Sequence, residues 1–339
     1  MLKILVTGGT GYIGSHTIVD LFEHGFEPIS VDNGINSDAS ILDNIFQITG
    51  KRVTHYDGDL CKTGVADQIF REHNLSGVIH FAALKSVGDS VKMPVKYFHN
   101  NINSLLNVIE ACLKFNVGNF IFSSSCTVYG NSKEAQVDEN TPIQEAVSPY
   151  GRTKQMGEQI LQDCFGQTDL KAILLRYFNP AGAHPSALMG EAASQVAQNL
   201  IPVITETAIG LRKSFDVFGT DYPTRDGSCI RDYIHIMDLA HAHTLALEYL
   251  LAEKQEKPID VYNLGIGQGV SVLEAIKAFE SVSNLSLNYN LAPRRPGDVV
   301  AIYSDYKKAQ SQLGWHPKYD IYDIMRSAWA WEQARRKHT

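Results

Sequence analysis

Lys3-Ile4-Leu5-Val6-Thr7-Gly8-Gly9-Thr10-Gly11-Tyr12-Ile13-Gly14 runs from a short apolar strand straight into a glycine-rich turn. Gly8, Gly11 and Gly14 are spaced G-x-x-G-x-x-G. Glycines there let the backbone turn tightly, approach a pyrophosphate and pack helix on strand, while the N-terminus of the following helix attracts the anion. The helix is expected to run on to Gly25, because Ile13, Ile18, Leu21 and Phe22 follow the helical period and glycine is a common C-terminal stop. Such a turn counts for little alone; here the strand before it and the helix after it supply the required context. The next strand, Pro28-Ile29-Ser30-Val31, ends at Asp32, where a dinucleotide-binding unit places the acid that holds a ribose 2′-hydroxyl. A carboxylate there repels a 2′-phosphate, so the prediction is NAD rather than NADP.

Strand and helix go on alternating. Val53-Thr54-His55-Tyr56 reads as a third strand leading to Asp59 and Leu60, placed to lie against an adenine. Val78 to Ala83 reads as a fourth, with Ala82 and Ala83 small enough to admit a flat cofactor at the sheet end. A helix from Asn101 to Lys114 carries apolar residues well beyond one stripe, so two of its sides are covered, by a second subunit or by loops of the same chain. Through Lys171-Ala172-Ile173-Leu174-Leu175-Arg176 the pattern is that of a doubly wound parallel α/β sheet of the Rossmann kind. After Asn179-Pro180 longer loops separate short strands such as Asp216-Val217-Phe218. The expected organisation is a dinucleotide-binding domain over residues 1–179 and a smaller mixed α/β lobe over 180–339, partly interleaved. Ser271-Val272-Leu273-Glu274 has capping-box spacing and opens a helix, and Arg335-Arg336-Lys337-His338 reads as a solvated tail.

Composition narrows the class. The chain has 339 residues, 44% hydrophobic and 20% charged, enough for a substantial soluble core. A net charge of −7 argues against nucleic acid as a partner, so an anionic ligand needs a local arginine cluster. Five scattered cysteines, without C-x-x-C spacing, point to a reduced interior. No secretion signal or membrane-length apolar run is visible, and the cytoplasm is the expected location. The twelve histidines show no metal spacing; His241 and His243, two apart, point to different helix faces. The expected metal content is none.

The chemistry is carried by Ser148-Pro149-Tyr150-Gly151-Arg152-Thr153-Lys154. Proline fits the first turn of a helix, where its missing N–H removes no bond. Tyr150 and Lys154, one turn apart, then share a face, and an ammonium beside a phenol favours the phenolate. A free tyrosine titrates near pH 10, so Lys154 calls for help from a second positive charge, such as an oxidised nicotinamide, before the phenol works as a base at neutral pH. Ser123-Ser124-Ser125 follows the apolar run Phe120-Ile121-Phe122, which puts hydroxyls at the carboxyl end of a strand, where open α/β sheets bind ligands.

Taken together, Gly8, Gly11, Gly14, Asp32, Ser125, Tyr150 and Lys154 resemble the extended short-chain dehydrogenase/reductase family over nearly the whole chain. Further resembling runs are Phe122 to Gly130, Arg176-Tyr177-Phe178-Asn179-Pro180, Arg231-Asp232-Tyr233-Ile234-His235 and Ala292-Pro293-Arg294-Arg295-Pro296-Gly297-Asp298. The resemblance implies NAD on Tyr12, Ile13, Asp32, Asn33, Asp59, Leu60, Phe81, Lys85, Asn100, Lys154 and Phe178. It implies a UDP-sugar on Ser125, Tyr150, Asn179, Asn199, Phe218, Arg231, Arg295 and Asp298. Guanidinium forks suit a diphosphate, which agrees with the two arginines. The implied activity is an isomerase that interconverts UDP-glucose and UDP-galactose through a 4-keto intermediate, in galactose metabolism, working as a homodimer.

Related 4,6-dehydratases carry an Asp-Glu pair directly after the hydroxyl residue, where this chain has Cys126 and Thr127. Neither does acid–base work at neutral pH, so dehydration is not expected. In the family a position shortly after the Arg-Arg-x-Gly-Asp run sets the room beside the sugar 2-substituent; here it is Ile302, of intermediate size, which leaves N-acetylated sugars open. The alternatives are epimerisation of another UDP-sugar (N-acetylhexosamine, uronate or pentose) or a non-catalytic NAD sensor on the same fold.

Overall fold

In the computed structural model, residues 1–192, 197–295 and 298–337 are described, Lys337 by its backbone alone. Pro296 and Gly297 of the arginine run and His338 of the tail lie outside the described residues.

Seven parallel strands form the central sheet: β1 (Lys3–Thr7), β2 (Glu27–Asp32), β3 (Thr54–Asp57), β4 (Leu75–His80), β5 (Asn119–Ser123), β6 (Lys171–Tyr177) and β7 (Ile259–Leu264). Their order is β3-β2-β1-β4-β5-β6-β7, the doubly wound sheet that the alternating pattern predicts. The chain winds outward from β1 to β3, returns to lay β4 on the other side of β1, and winds outward again. The crevice for a ligand therefore opens at the carboxyl ends of β1 and β4.

Residue alternation builds both faces at once. Ile4, Val6, Ile79, Ile121 and Ile173 point to one side, where they pack with α1 (Tyr12–Glu23) and α8 (Ile236–Leu251). Leu5, Val78, Phe120, Phe122 and Leu174 point to the other, against α3 (Val65–Glu72), α5 (Pro94–Phe115) and α6 (Pro149–Phe165). Each such side chain, fully buried, contributes about 1.5–3 kcal/mol. The remaining helices of the first half, α2 (Ile41–Thr49) and α4 (Val87–Lys92), flank the loops that follow β2 and β4.

Elements of the second half complete this sheet: β7 pairs with β6 in register from Ile259–Ala172 to Leu264–Tyr177, and α8 packs along α1. The second half also has a core of its own. Ile201 and Ile204 of α7 (Leu200–Ala208) pack with Ile276 and Phe279 of α9 (Val272–Ser283) and with Ile324 and Met325 of α11 (Ile321–Lys337). A short helix, α10 (Lys307–Leu313), packs beside β7.

Local expectations differ from the structure in three places. The helix read from Asn101 begins at Pro94, because proline starts the turn and polar Lys96, His99 and Asn100 ride on it without an apolar period. The strand read through Ala83 stops at His80, where the chain leaves the ladder to line the crevice. The first helix ends at Glu23, two residues before Gly25, whose φ of +81° makes the turn into β2. The capping box at Ser271 and Glu274 is present in full.

Candidate active site

The glycine turn is shaped by close approach. A Cβ on Gly14 would lie 2.3 Å from the Gly8 carbonyl oxygen and 2.9 Å from Gly9 Cα. One on Gly8, which stands at φ +68°, would lie 3.0 Å from the Ala82 nitrogen. The loops after β1 and β4 thus pack backbone to backbone. Helix α1 starts at Gly11 with no side-chain cap and no acid in its first turn, leaving its first N–H groups to an incoming anion. Asp32 closes this end: its carboxylate accepts from Thr10 N at 3.3 Å, Gly34 N at 3.0 Å and Ser37 Oγ at 3.0 Å. A bare helix start, glycines that leave no room for side chains and a held carboxylate together fit a dinucleotide.

These groups line one cleft of about 1270 Å³. Gly8, Gly11, Tyr12, Ile13, Gly14, Asp32, Asn33, Asp59, Leu60, Phe81, Ala82, Ala83, Lys85 and Asn100 of the expected cofactor set reach it. So do Tyr150 and Lys154, and Asn179, Asn199, Arg231, Arg295, Asp298 and Ile302 of the expected substrate set. Three expected residues do not line it. Ser125 stands behind, its Oγ accepting from Thr127 N at 3.2 Å and sharing a hydrogen bond with Tyr150. Phe178 is buried with Val128, Tyr129 and Ile302. Phe218, half-exposed, holds the Arg295 guanidinium 5.4 Å above its ring.

Ser148 caps α6 by accepting from Gly151 N at 3.1 Å, and Pro149 occupies the first turn, as the spacing predicts. Tyr150 and Lys154 share a buried face, with Lys154 Nζ 5.8 Å from the phenol ring centre. The ammonium donates to the Ser123 carbonyl at 2.5 Å, so the end of β5 holds it. The expectation for this pair is that Lys154 needs a second positive charge beside it before the phenol ionises near neutral pH. Burial pushes the Tyr150 phenol well above the ordinary tyrosine value, with the Ser125 hydrogen bond opposing only in part. Burial likewise pushes Lys154 down to about 8 against the attraction of Glu158. Desolvation is the largest cause for both groups.

Arg231 and Arg295 converge on Asp298. Arg295 Nη2 donates to Asp298 Oδ1 at 2.8 Å, and Arg231 Nη2 lies 3.7 Å from the same oxygen. Arg231 also donates to the Ile230 and Val299 carbonyls, at 2.8 and 2.6 Å. Next to it, Asp232 takes bonds from Ser304, Ile266 and Gly267 and pins the segment from within.

Several contacts that hold the site were not legible in the sequence. Glu191 Oε1 accepts from Lys85 Nζ at 3.0 Å and from Asn199 Nδ2 at 2.8 Å, joining a cofactor candidate to a substrate candidate. Asn101 bonds the Leu84 backbone in both directions and donates to Thr153 of α6. Arg176 pairs with Glu158 through two bonds, 2.9 and 2.6 Å, and Ser124 donates to the same carboxylate. Distant elements also bring together side chains that spacing along the chain does not link: Asp20 of α1 and His24 at its C-terminal cap meet His241 of α8.

Comparison with known proteins places the chain. Residues 5–328 match the family model described as GDP-mannose 4,6 dehydratase. The chain is 45% identical to UDP-glucose 4-epimerase of Bacillus subtilis (strain 168), over 98% of this chain and 97% of that protein. The chain belongs to the UDP-glucose 4-epimerase family. Another member, from Dictyostelium discoideum, is 44% identical over 97% of this chain and 95% of its own. The family's UDP-glucose-4-epimerase from Stenotrophomonas maltophila, solved with bound NAD and formylated UDP-arabinopyranose, superposes with a TM-score of 0.96 at 42% identity over the whole of both chains. The Bifidobacterium longum epimerase, solved with NAD+ and UDP, gives 0.95 at 43% identity, over 99% and 100% of the two chains. The departure at Cys126 and Thr127 accords with epimerases, not dehydratases, as the similar relatives.

Proposed function

We propose that the protein interconverts UDP-glucose and UDP-galactose, with NAD as cofactor, by oxidation and re-reduction at C4 of the sugar. The observation that carries this reading is one cleft into which the glycine turn and Asp32, the Tyr150–Lys154 pair and the Arg231–Arg295 pair all open. Bound NAD supplies an acceptor for the C4 hydride, its later return, and a positive charge. Tyr150 takes the proton of the sugar 4-hydroxyl and gives it back to the ketone oxygen, with Ser125 bonding the phenol and Lys154 stabilising its anion. Arg231 and Arg295 hold the diphosphate while the sugar turns to present its other face. Asn33, Asp59 and Asn100 complete the cofactor set; Asn179, Asn199 and Phe218 that of the nucleotide sugar. Asp298 is the counter-charge that keeps the arginines in place.

Product analysis after incubation with UDP-galactose tests this. Wild-type protein yields UDP-glucose, and Tyr150→Phe loses about 10²–10⁴-fold in turnover while retaining NAD. No interconversion by the wild type overturns the function, and near-normal turnover in the variant overturns the base. An NAD sensor of this fold would show no NADH absorbance on adding UDP-sugar. Ile302, buried against Tyr129 and Phe178 yet lining the cleft, favours a second assay, with UDP-N-acetylglucosamine.

The assembly is a homodimer in this reading. Leu106 and Leu113 of α5 and Met156 of α6 are exposed, which supplies an apolar face for a second copy. Sedimentation equilibrium at micromolar concentration checks it, and a monomer refutes it. The compartment is the cytoplasm, where the five free cysteines stay reduced. Among the described residues no helix is long and apolar enough to cross a membrane.

A further inference from the structure

Away from the cleft, the end of α1 meets the middle of α8 in a cluster that the proposed reaction does not use. Asp20 lies in the last turn of α1 and His24 caps its C-terminus one turn later, and His241 faces them from α8; donor atoms of the three lie within 4.8 Å of one another. His24 Nδ1 is 3.3 Å from Asp20 Oδ2, and His241 Nδ1 is 3.4 Å from both carboxylate oxygens. The two rings lie side by side, centres 5.0 Å apart and tilted by 35°.

We propose that Asp20, His24 and His241 bind a first-row divalent cation of the zinc class, which clamps α1 to α8. The distances carry this. A tetrahedral zinc ion with bonds of about 2.0–2.1 Å needs ligand atoms about 3.4 Å apart, the separation already found on both sides of the carboxylate. The accessibility agrees: the Asp20 side chain is 7% exposed, while His24 and His241 are 32% and 27% exposed. The carboxylate forms a buried floor, the imidazoles form the mouth, and the fourth position is left to water. Two imidazole nitrogens and one carboxylate suit zinc, nickel or copper; magnesium and calcium call for oxygen ligands throughout.

A simpler use of the cluster is the hydrogen bond between His24 Nδ1 and the Asp20 carbonyl, 2.7 Å. Metal binding breaks that bond, since Nδ1 serves either the proton shared with the carbonyl or the cation, and it releases whatever protons the two ligating nitrogens carry. The consequence is mechanical. α1 begins at the glycine turn, and α8 belongs to the second half of the chain, so the cation ties the two halves on the far side of the sheet from α5 and α6.

Calorimetric titration of the NAD-loaded, chelator-treated protein with ZnCl2 tests the site. One equivalent is expected to bind and to raise the thermal midpoint. His24→Ala and His241→Ala should each weaken that event at least ~10-fold and abolish the thermal shift. Turnover should be unchanged, because none of the three residues lines the cleft. If an alanine variant does not fold, His24→Gln, whose amide can keep the bond to the Asp20 carbonyl, takes its place. Failure of the wild type to bind zinc below ~100 µM, or equal affinity in wild type and folded variants, overturns the proposal.

Discussion

Lys154 carries its charge where burial penalises it, and this sets two opposite pH dependences. Its ammonium titrates at about 8, below the free value of 10.5. Between those values the unfolded chain binds more protons than the folded one, so stability rises with pH across that window. The charge that stabilises a phenolate is lost over the same range. Turnover is therefore expected to fall above pH 8 while the thermal midpoint rises, and Lys154→Met should remove both trends. Turnover still rising beyond pH 9.5 would exclude the ammonium from the chemistry. Gly14 is decisive in another way. A methyl group there meets backbone at 2.3 Å, and backbone yields little. Gly14→Ala is expected to weaken NAD binding ~10-fold or more, the effect of about 1.4 kcal/mol of displacement; an unchanged Kd in a fluorescence titration would show that the loop gives way.

At the scale of elements, the end of β5 is held by a buried network. Arg176 on β6 and Glu158 on α6 are 5% and 4% exposed and share two bonds, with Ser124 and Tyr129 attached. Removing one charge leaves the other without compensation. Glu158→Gln is expected to cost ~3–5 kcal/mol in urea unfolding, and the apolar double variant Glu158→Leu with Arg176→Met should recover most of it. A single variant as stable as wild type would mean that the network contributes little. Because Ser123 and Ser125 flank Ser124, the variant should also lower turnover per folded molecule. None of this was legible in the sequence. Glu158 and Arg176 lie 18 residues apart, Tyr129 and Asn263 are 134 apart, and no periodicity links such pairs. Tyr150 and Lys154 were legible because one turn of helix joins them.

Across the whole molecule, Asp238 ties α8 to the segment entering α11: its Oδ2 accepts from Lys318 N at 3.0 Å and Tyr319 N at 3.1 Å. Burial pushes this carboxyl up to about 6, with those two bonds opposing. A folded-state value above the unfolded one means that its contribution is present at low pH and is lost as pH rises through 6. Asp238→Asn keeps an oxygen for both N–H groups and has no charge to bury. It is expected to raise the thermal midpoint at pH 7 relative to wild type and to flatten the difference between pH 4 and 6; a lower midpoint at pH 7 would refute this account. The same division between local and distant runs through the protein. The sequence by itself determined the strand–turn–helix opening, the parallel alternation, the helix start at Pro149 and the shared face of Tyr150 and Lys154, because each depends on neighbours within a turn or two of chain. Tertiary structure alone decided that Glu191 joins Lys85 to Asn199, that Asp298 gathers two arginines, that Asp20, His24 and His241 meet, and that burial raises the phenol. Those outcomes depend on which distant segments exclude water from a group, and spacing along the chain does not encode that.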